Sequence, residues 1–271
     1  MGKKERYKEP LIFLLDEFIR TGLAENLMAY LTSNSNLPGP RGNIELADAF
    51  AEVAGGYERD CDKLRSLCIQ LSRFSVVEAP VNNPKEFLVF CGARGIGALG
   101  TAPSFFLEAL SRLKKLASDA RWRTREGVAM ALQSMIEEQP KKTLKELSHW
   151  VEDKDWLVMR AIAAGVAEPA LLKDEETAHA AFELHKQILS RIAVAGERKS
   201  SEFKTLRQGL GYSLSVVVRE VPQEGFAYMR QLAEQQDADV LWILKENLKK
   251  NRLLKNFPEE VASTRKLWEL Q

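Results

Sequence analysis

The sequence has few of the residues that carry metal, disulfide or nucleophile chemistry. It holds three cysteines, Cys61, Cys68 and Cys91, an odd number at wide spacing with no Cys-x-x-Cys pair. The three histidines, His149, His179 and His185, do not fall at metal-ligand spacing with them. This pattern argues against a disulfide framework and a zinc site. The thiols are expected to be buried and free, as in a reducing compartment. No Ser or Cys stands in a nucleophile motif. His179 and His185 lie six apart on one helix and are expected at the surface or its boundary, without a catalytic partner.

An excess of one charge is lacking too. Lys and Arg number 39 against 38 Asp and Glu, a formal net charge of +1. The field of the whole protein therefore does not steer a polyanion, although a local basic face remains open to nucleic acid. No run of about 18 apolar residues is present, so no membrane span and no membrane partner is expected. The charged stretch Met1 to Arg6 is followed by no apolar signal core, and Arg6 breaks the myristoylation pattern, so the expected location is cytoplasmic. Long apolar/polar alternation, the mark of strands, is missing as well.

What the sequence does have is a helical period. Leu11, Leu14, Leu15 and Phe18 recur at i, i+3, i+4 and i+7, on one helix face. The pattern predicts fourteen helices, approximately 10–20, 23–32, 43–55, 60–73, 84–100, 103–117, 121–138, 141–151, 155–168, 174–194, 201–220, 222–235, 239–250 and 258–269. Asn83-Pro84-Lys85-Glu86 reads as a capping box with Pro in the first turn. Pro103, Pro222 and Pro258 open segments rather than interrupting them. The stretch 32–43, with two Pro and two Gly, is the one long polar connection.

Gly95-Ile96-Gly97-Ala98-Leu99-Gly100 fits Gly-x-Gly-x-x-Gly, but that fingerprint needs a preceding strand and alternating strands beyond it. A helix through Phe87 leaves no such strand. No cofactor is therefore expected. Gly92, Gly95 and Gly97 should instead lie in a helix that another helix approaches closely.

Three helix starts look alike. Asp119-Ala120-Arg121-Trp122 precedes Arg125, Asp153-Lys154-Asp155-Trp156 precedes Arg160, and Asp239-Val240-Leu241-Trp242 precedes Lys245. The first two are 153 − 119 = 34 residues apart, a helix-pair period. Asp119, Asp153 and Asp239 are expected to cap helix N-termini, with the Trp in the first turn and the base one turn later on the same face. The three bases are expected to pair with these aspartates.

This unit resembles the second helix of a HEAT repeat, best over about 103–168, fairly over 201–250 and weakly over 1–80. The resemblance implies an all-α, right-handed α-α superhelix, a HEAT/armadillo-like solenoid of antiparallel helix pairs. In that reading 1–271 is one continuous stack. It comprises atypical N-terminal helices over 1–80, HEAT-like pairs over 84–250 and a C-terminal capping helix over 258–271. At 271 residues the chain sits where one compact core stops growing, near 250–300, which suits either an elongated stack or two domains.

Within that class, a Trp near a base on successive second helices resembles the HEAT-like alkylation-repair DNA glycosylases. Those hold duplex DNA in a basic, Trp-lined concave face and use a catalytic Asp. No Asp here stands in a matching motif; Asp155 and Glu126 are the nearest carboxylates. The expectation is a non-catalytic scaffold that binds a protein partner on its concave face, with a nucleic-acid-binding relative of the glycosylases as the alternative. The candidate binding residues are Trp122, Arg125, Trp156, Arg160, Trp242, Lys245, Lys249 and Lys250. Arg112, Lys114, Lys115, Arg121, Arg123 and Arg125 form the other cationic run.

Overall fold

A computed structural model describes residues 2–57 and 61–269. The protein is all-α, with 76% of residues in helix, and no strand occurs among the described residues. The chain divides into two compact units, Met1–Glu138 and Gln139–Gln271. The first holds Lys8–Thr21 (α1), Glu25–Ser33 (α2), Ile44–Gly55 (α3), Cys61–Ser72 (α4), Glu86–Leu99 (α5), Phe106–Ala117 (α6) and Trp122–Glu138 (α7). The second holds Pro140–Trp150 (α8), Trp156–Val166 (α9), Glu175–Val194 (α10), Ser201–Glu220 (α11), Pro222–Glu234 (α12), Ala238–Leu248 (α13), Asn251–Leu254 (α14) and Pro258–Glu269 (α15). No described helix is long and apolar enough to cross a membrane.

In the first unit α5 is the central element, packed against α3, α4 and α7. Its sequence explains this. Thirteen of its fourteen residues are buried, so it has no solvent face, as expected of a helix apolar all round. Its glycines let three neighbours approach. A Cβ on Gly92 would stand 2.5 Å from Ser72 N of α4, and one on Gly95 would stand 2.4 Å from Cys68 Sγ. A Cβ on Gly97 would stand 2.5 Å from Ala131 Cβ of α7. The Gly-x-Gly-x-x-Gly run is thus a helix-packing surface. Cys68 and Cys91 are free and buried in this core, and burial pushes the Cys68 thiol up to about 12. The side chain of Cys61 lies outside the described residues.

In the second unit α9, α11 and α13 pack side by side, with α10 and α12 against α11. His185 sits in the core of this unit rather than at its surface. It shares the α10 stripe of Ala178, Ala181, Phe182, Ile188 and Leu189, and no part of it is exposed. Its Nδ1 is 2.8 Å from the Ala181 carbonyl and its Nε2 is 2.9 Å from Ser213 Oγ on α11. A carbonyl only accepts, so Nδ1 donates and Nε2 accepts from the hydroxyl. Burial pushes His185 down to about 4, against a weaker upward pull from the Ala181 carbonyl. His179 is half-buried, near Glu175 and Glu224.

Candidate functional site

The repeated Asp–Trp–basic unit is present, but its caps lie elsewhere. Asp155, not Asp153, caps α9, accepting from Leu157 N at 2.8 Å and Val158 N at 3.2 Å. Asp153 ends a short 3-10 turn and is exposed. Lys154 then takes a left-handed φ of 60°, which turns the chain before the helix begins. Asp237, not Asp239, caps α13, accepting from Asp239 N and Val240 N. Asp119 accepts Arg121 N at 2.8 Å and grips the same residue's guanidinium at Nε and Nη2. At α5, Asn83 accepts Lys85 N while the Glu86 carboxylate reaches back to Asn82 N, so the box closes on a turn and the helix starts at Glu86.

Asp119 and Asp239 pair with arginines other than the bases expected for them. Asp119 takes Arg121, and Asp239 takes Arg207 at 2.6 Å and Arg198 at 3.6 Å. Arg125 instead donates to the carbonyls of Asp119 (2.7 Å) and Ala120 (3.1 Å). In the second unit Trp156 is half-buried, edge-on to Phe203 at 5.3 Å. Trp242 is half-buried under Arg207, whose guanidinium lies 4.6 Å from its ring centroid. Arg160 is half-buried and lies along α11, where a Cβ on Gly209 would meet its Cγ at 3.4 Å. Lys245 is exposed. Lys249 pairs with Glu246 at 2.6 Å, and Lys250 stands 5.7 Å from the ring of Tyr212. Arg252 covers the same ring at 4.4 Å.

Trp122 differs from the other two. It is 44% exposed, and it walls a cavity of about 240 Å³ in the first unit with Phe87, Phe90, Met130 and Arg41. Phe87 and Phe90 stack with centroids 5.9 Å apart. The Trp122 ring is held from below by Arg123, whose guanidinium lies 4.5 Å from its centroid. Arg123 is itself locked. It pairs at 3.0 Å with Glu86, which is fully buried, and donates to the Gly39 carbonyl at 2.6 Å. Asn82 Oδ1 accepts from Gly39 N at 2.9 Å. The pair therefore ties α5, α7 and the 34–43 loop together. Removing one partner of such a pair costs more than the pair contributes, since a buried charge is left alone.

Nothing in the period or the motifs marks Arg41 or the Phe87–Phe90 pair as part of this slot. The loop reaches it through tertiary bonds, with Asn43 donating to Asn34 O and Tyr7 Oη and accepting from Leu46 N.

No family model matches this chain, and no curated protein matches it. Among solved structures it is similar to two engineered proteins from the Northeast Structural Genomics Consortium. One is 14% identical, with 97% of this chain and 100% of the other covered and a TM-score of 0.38. The second is 15% identical, with 97% and 98% covered and a TM-score of 0.33. At such scores neither likeness bears on function.

Proposed function

We propose that the chain is a non-catalytic HEAT-like scaffold that binds a protein partner, with the Trp122 slot of the first unit as a principal contact. The observation that carries this reading is a part-exposed Trp standing over an apolar hollow on a buried ion pair. Interface hot spots are enriched in Trp set in well-packed pockets, and a pre-positioned ring loses little freedom on binding. The internal pairing of Arg121, Arg123, Arg198 and Arg207 adds support. Cations held by buried or half-buried carboxylates serve the fold before they serve phosphate.

The alternative, a nucleic-acid-binding relative of the alkylation-repair glycosylases, draws on one observation in the second unit. Tyr212 is 52% exposed and flanked by Lys250 and Arg252, a combination suited to stacking a base beside a phosphate. A photoreactive benzoylphenylalanine placed at position 122 and, separately, at position 212 separates the two readings. Protease-sensitive adducts from position 122 in extract are expected. Nuclease-sensitive adducts from position 212, with none from 122, would overturn the proposal.

A further inference from the structure

Beside the Trp122 slot lies a second hollow of about 250 Å³, lined by Lys3, Arg6 and Arg41 against one carboxylate, Glu45. The two hollows share Arg41 and Gly42. Gly42 forms the ridge between them, where a Cβ would rest 3.7 Å from Phe87 Cδ2.

The cations here are unlike most others in the unit. Lys4 and Lys8, nearby in sequence, are taken up by Glu52. Arg6 is committed only to Tyr7, whose ring it covers and whose hydroxyl accepts from it. Lys3 and Arg41 make no hydrogen bond or ion pair among the described residues. Three cations against one carboxylate leave this hollow at 3 − 1 = +2, while the adjoining slot adds the Glu126 carboxylate and Arg123, itself paired with Glu86. An apolar slot with a cationic hollow at its lip suits an amphipathic ligand that is anionic at one end. Each hollow is smaller than the roughly 300–1,000 Å³ of a small-molecule site, and each suits one anchor side chain.

We propose that this composite site takes an acidic peptide segment of a partner protein. A bulky apolar side chain enters beside Trp122, and an adjacent Asp or Glu sits among Lys3, Arg6 and Arg41. This rests on the scaffold reading and names the chemistry of the partner. Complementary charge sets register and suppresses wrong partners, while the buried anchor holds the complex.

The test is selection of a displayed random peptide library on the immobilised full chain. The winning peptides are then resynthesised and measured by fluorescence anisotropy. Winners should carry Phe, Leu, Ile or Trp next to Asp or Glu. Trp122→Ala should weaken them about thirtyfold or more. Arg41→Glu should weaken them about tenfold at low salt, less at high salt, and a new selection on that variant should lose the acidic preference. Both side chains are exposed, and circular dichroism checks that each variant is folded.

Winners without acidic residues, or indifferent to Arg41→Glu yet sensitive to Trp122→Ala, would overturn the acidic partner and leave the scaffold reading standing. Winners indifferent to both variants, or none at all, would overturn the composite site. The crosslink from position 122 then decides the scaffold reading by itself. Self-association of the chain that Trp122→Ala abolishes would make a second copy the occupant and also count against the proposal.

Discussion

Replacing Gly97 by Ala adds one methyl group where α7 leaves no room. The new Cβ would lie 2.5 Å from Ala131 Cβ, 2.6 Å from its Cα and 2.8 Å from its carbonyl oxygen. None of these atoms can rotate away. Reaching ordinary contact at 3.4 Å requires α5 and α7 to part by at least 3.4 − 2.5 = 0.9 Å. That separation loosens Gly127 from Phe90 and Ala93, where an added Cβ would stand only 3.1–3.4 Å away. Overpacking of this kind costs about 1–3 kcal/mol, while the helix gains up to about 1 kcal/mol from losing a glycine. Gly55→Ala in the same unit provides the control. Its Cβ would meet Ala98 Cβ at 3.5 Å, an ordinary contact, so only the propensity gain remains. The difference between the two variants removes most of that gain and reads the overpacking, about 1–3 kcal/mol. Urea unfolding followed by circular dichroism measures it, provided the slope is unchanged. A Gly97→Ala protein as stable as Gly55→Ala would refute the close approach of α5 and α7.

Three further outcomes follow from particular contacts. Asp155→Ala and Asp237→Ala should each cost about 0.5–2 kcal/mol as lost caps, and Asp153→Ala less than either, by the same unfolding assay. His185 is held neutral with its native value below the usual 6.5. The unfolded chain therefore binds the proton better, and the stability is full above about pH 6.5 and lost as pH falls toward 4. Across that interval, at 1.36 kcal/mol per pH unit, the loss reaches about 3 kcal/mol; a pH series on His185→Gln should be flatter, and parallel curves would contradict the assignment. Glu86→Gln strands the Arg123 charge and should destabilise by about 3–5 kcal/mol, read as a fall in the thermal midpoint of the first unit.

Much of the fold is legible because local signals and burial agree. Pro222 and Pro258 each stand at the first position of a helix. The glycines of α5 could be read as packing residues because their propensity cost calls for a compensating contact, and that contact is present. The short helix Asn251–Leu254 was not legible, since four residues carry no period. Cap positions slipped by two residues where a left-handed Lys154 or two further residues before Trp242 altered the entry to the helix. The partners of Asp119 and Asp239 were legible in kind but not in identity. A sequence shows that charges balance, whereas the pairing of Arg207 with Asp239 depends on how α11 lies against α13.

The site was the least legible part. Trp122, Trp156 and Trp242 stand in the same motif, yet only Trp122 is exposed, at 44%. What distinguishes them is their neighbours: Phe203 covers Trp156, and α11 at Gly211 closes on Trp242 to within 3.1 Å of an added Cβ.

The most direct test of the central claim is the set of indole N–H resonances of the five tryptophans. A heteronuclear correlation spectrum records it, with Trp122 assigned by its loss in Trp122→Phe. Titration with a selected acidic peptide should move the Trp122 resonance and leave Trp156 and Trp242 in place, and duplex DNA at physiological salt should move none. Shifts at Trp156 and Trp242 on adding DNA, with Trp122 unmoved by peptide, would contradict the account and favour the nucleic-acid reading.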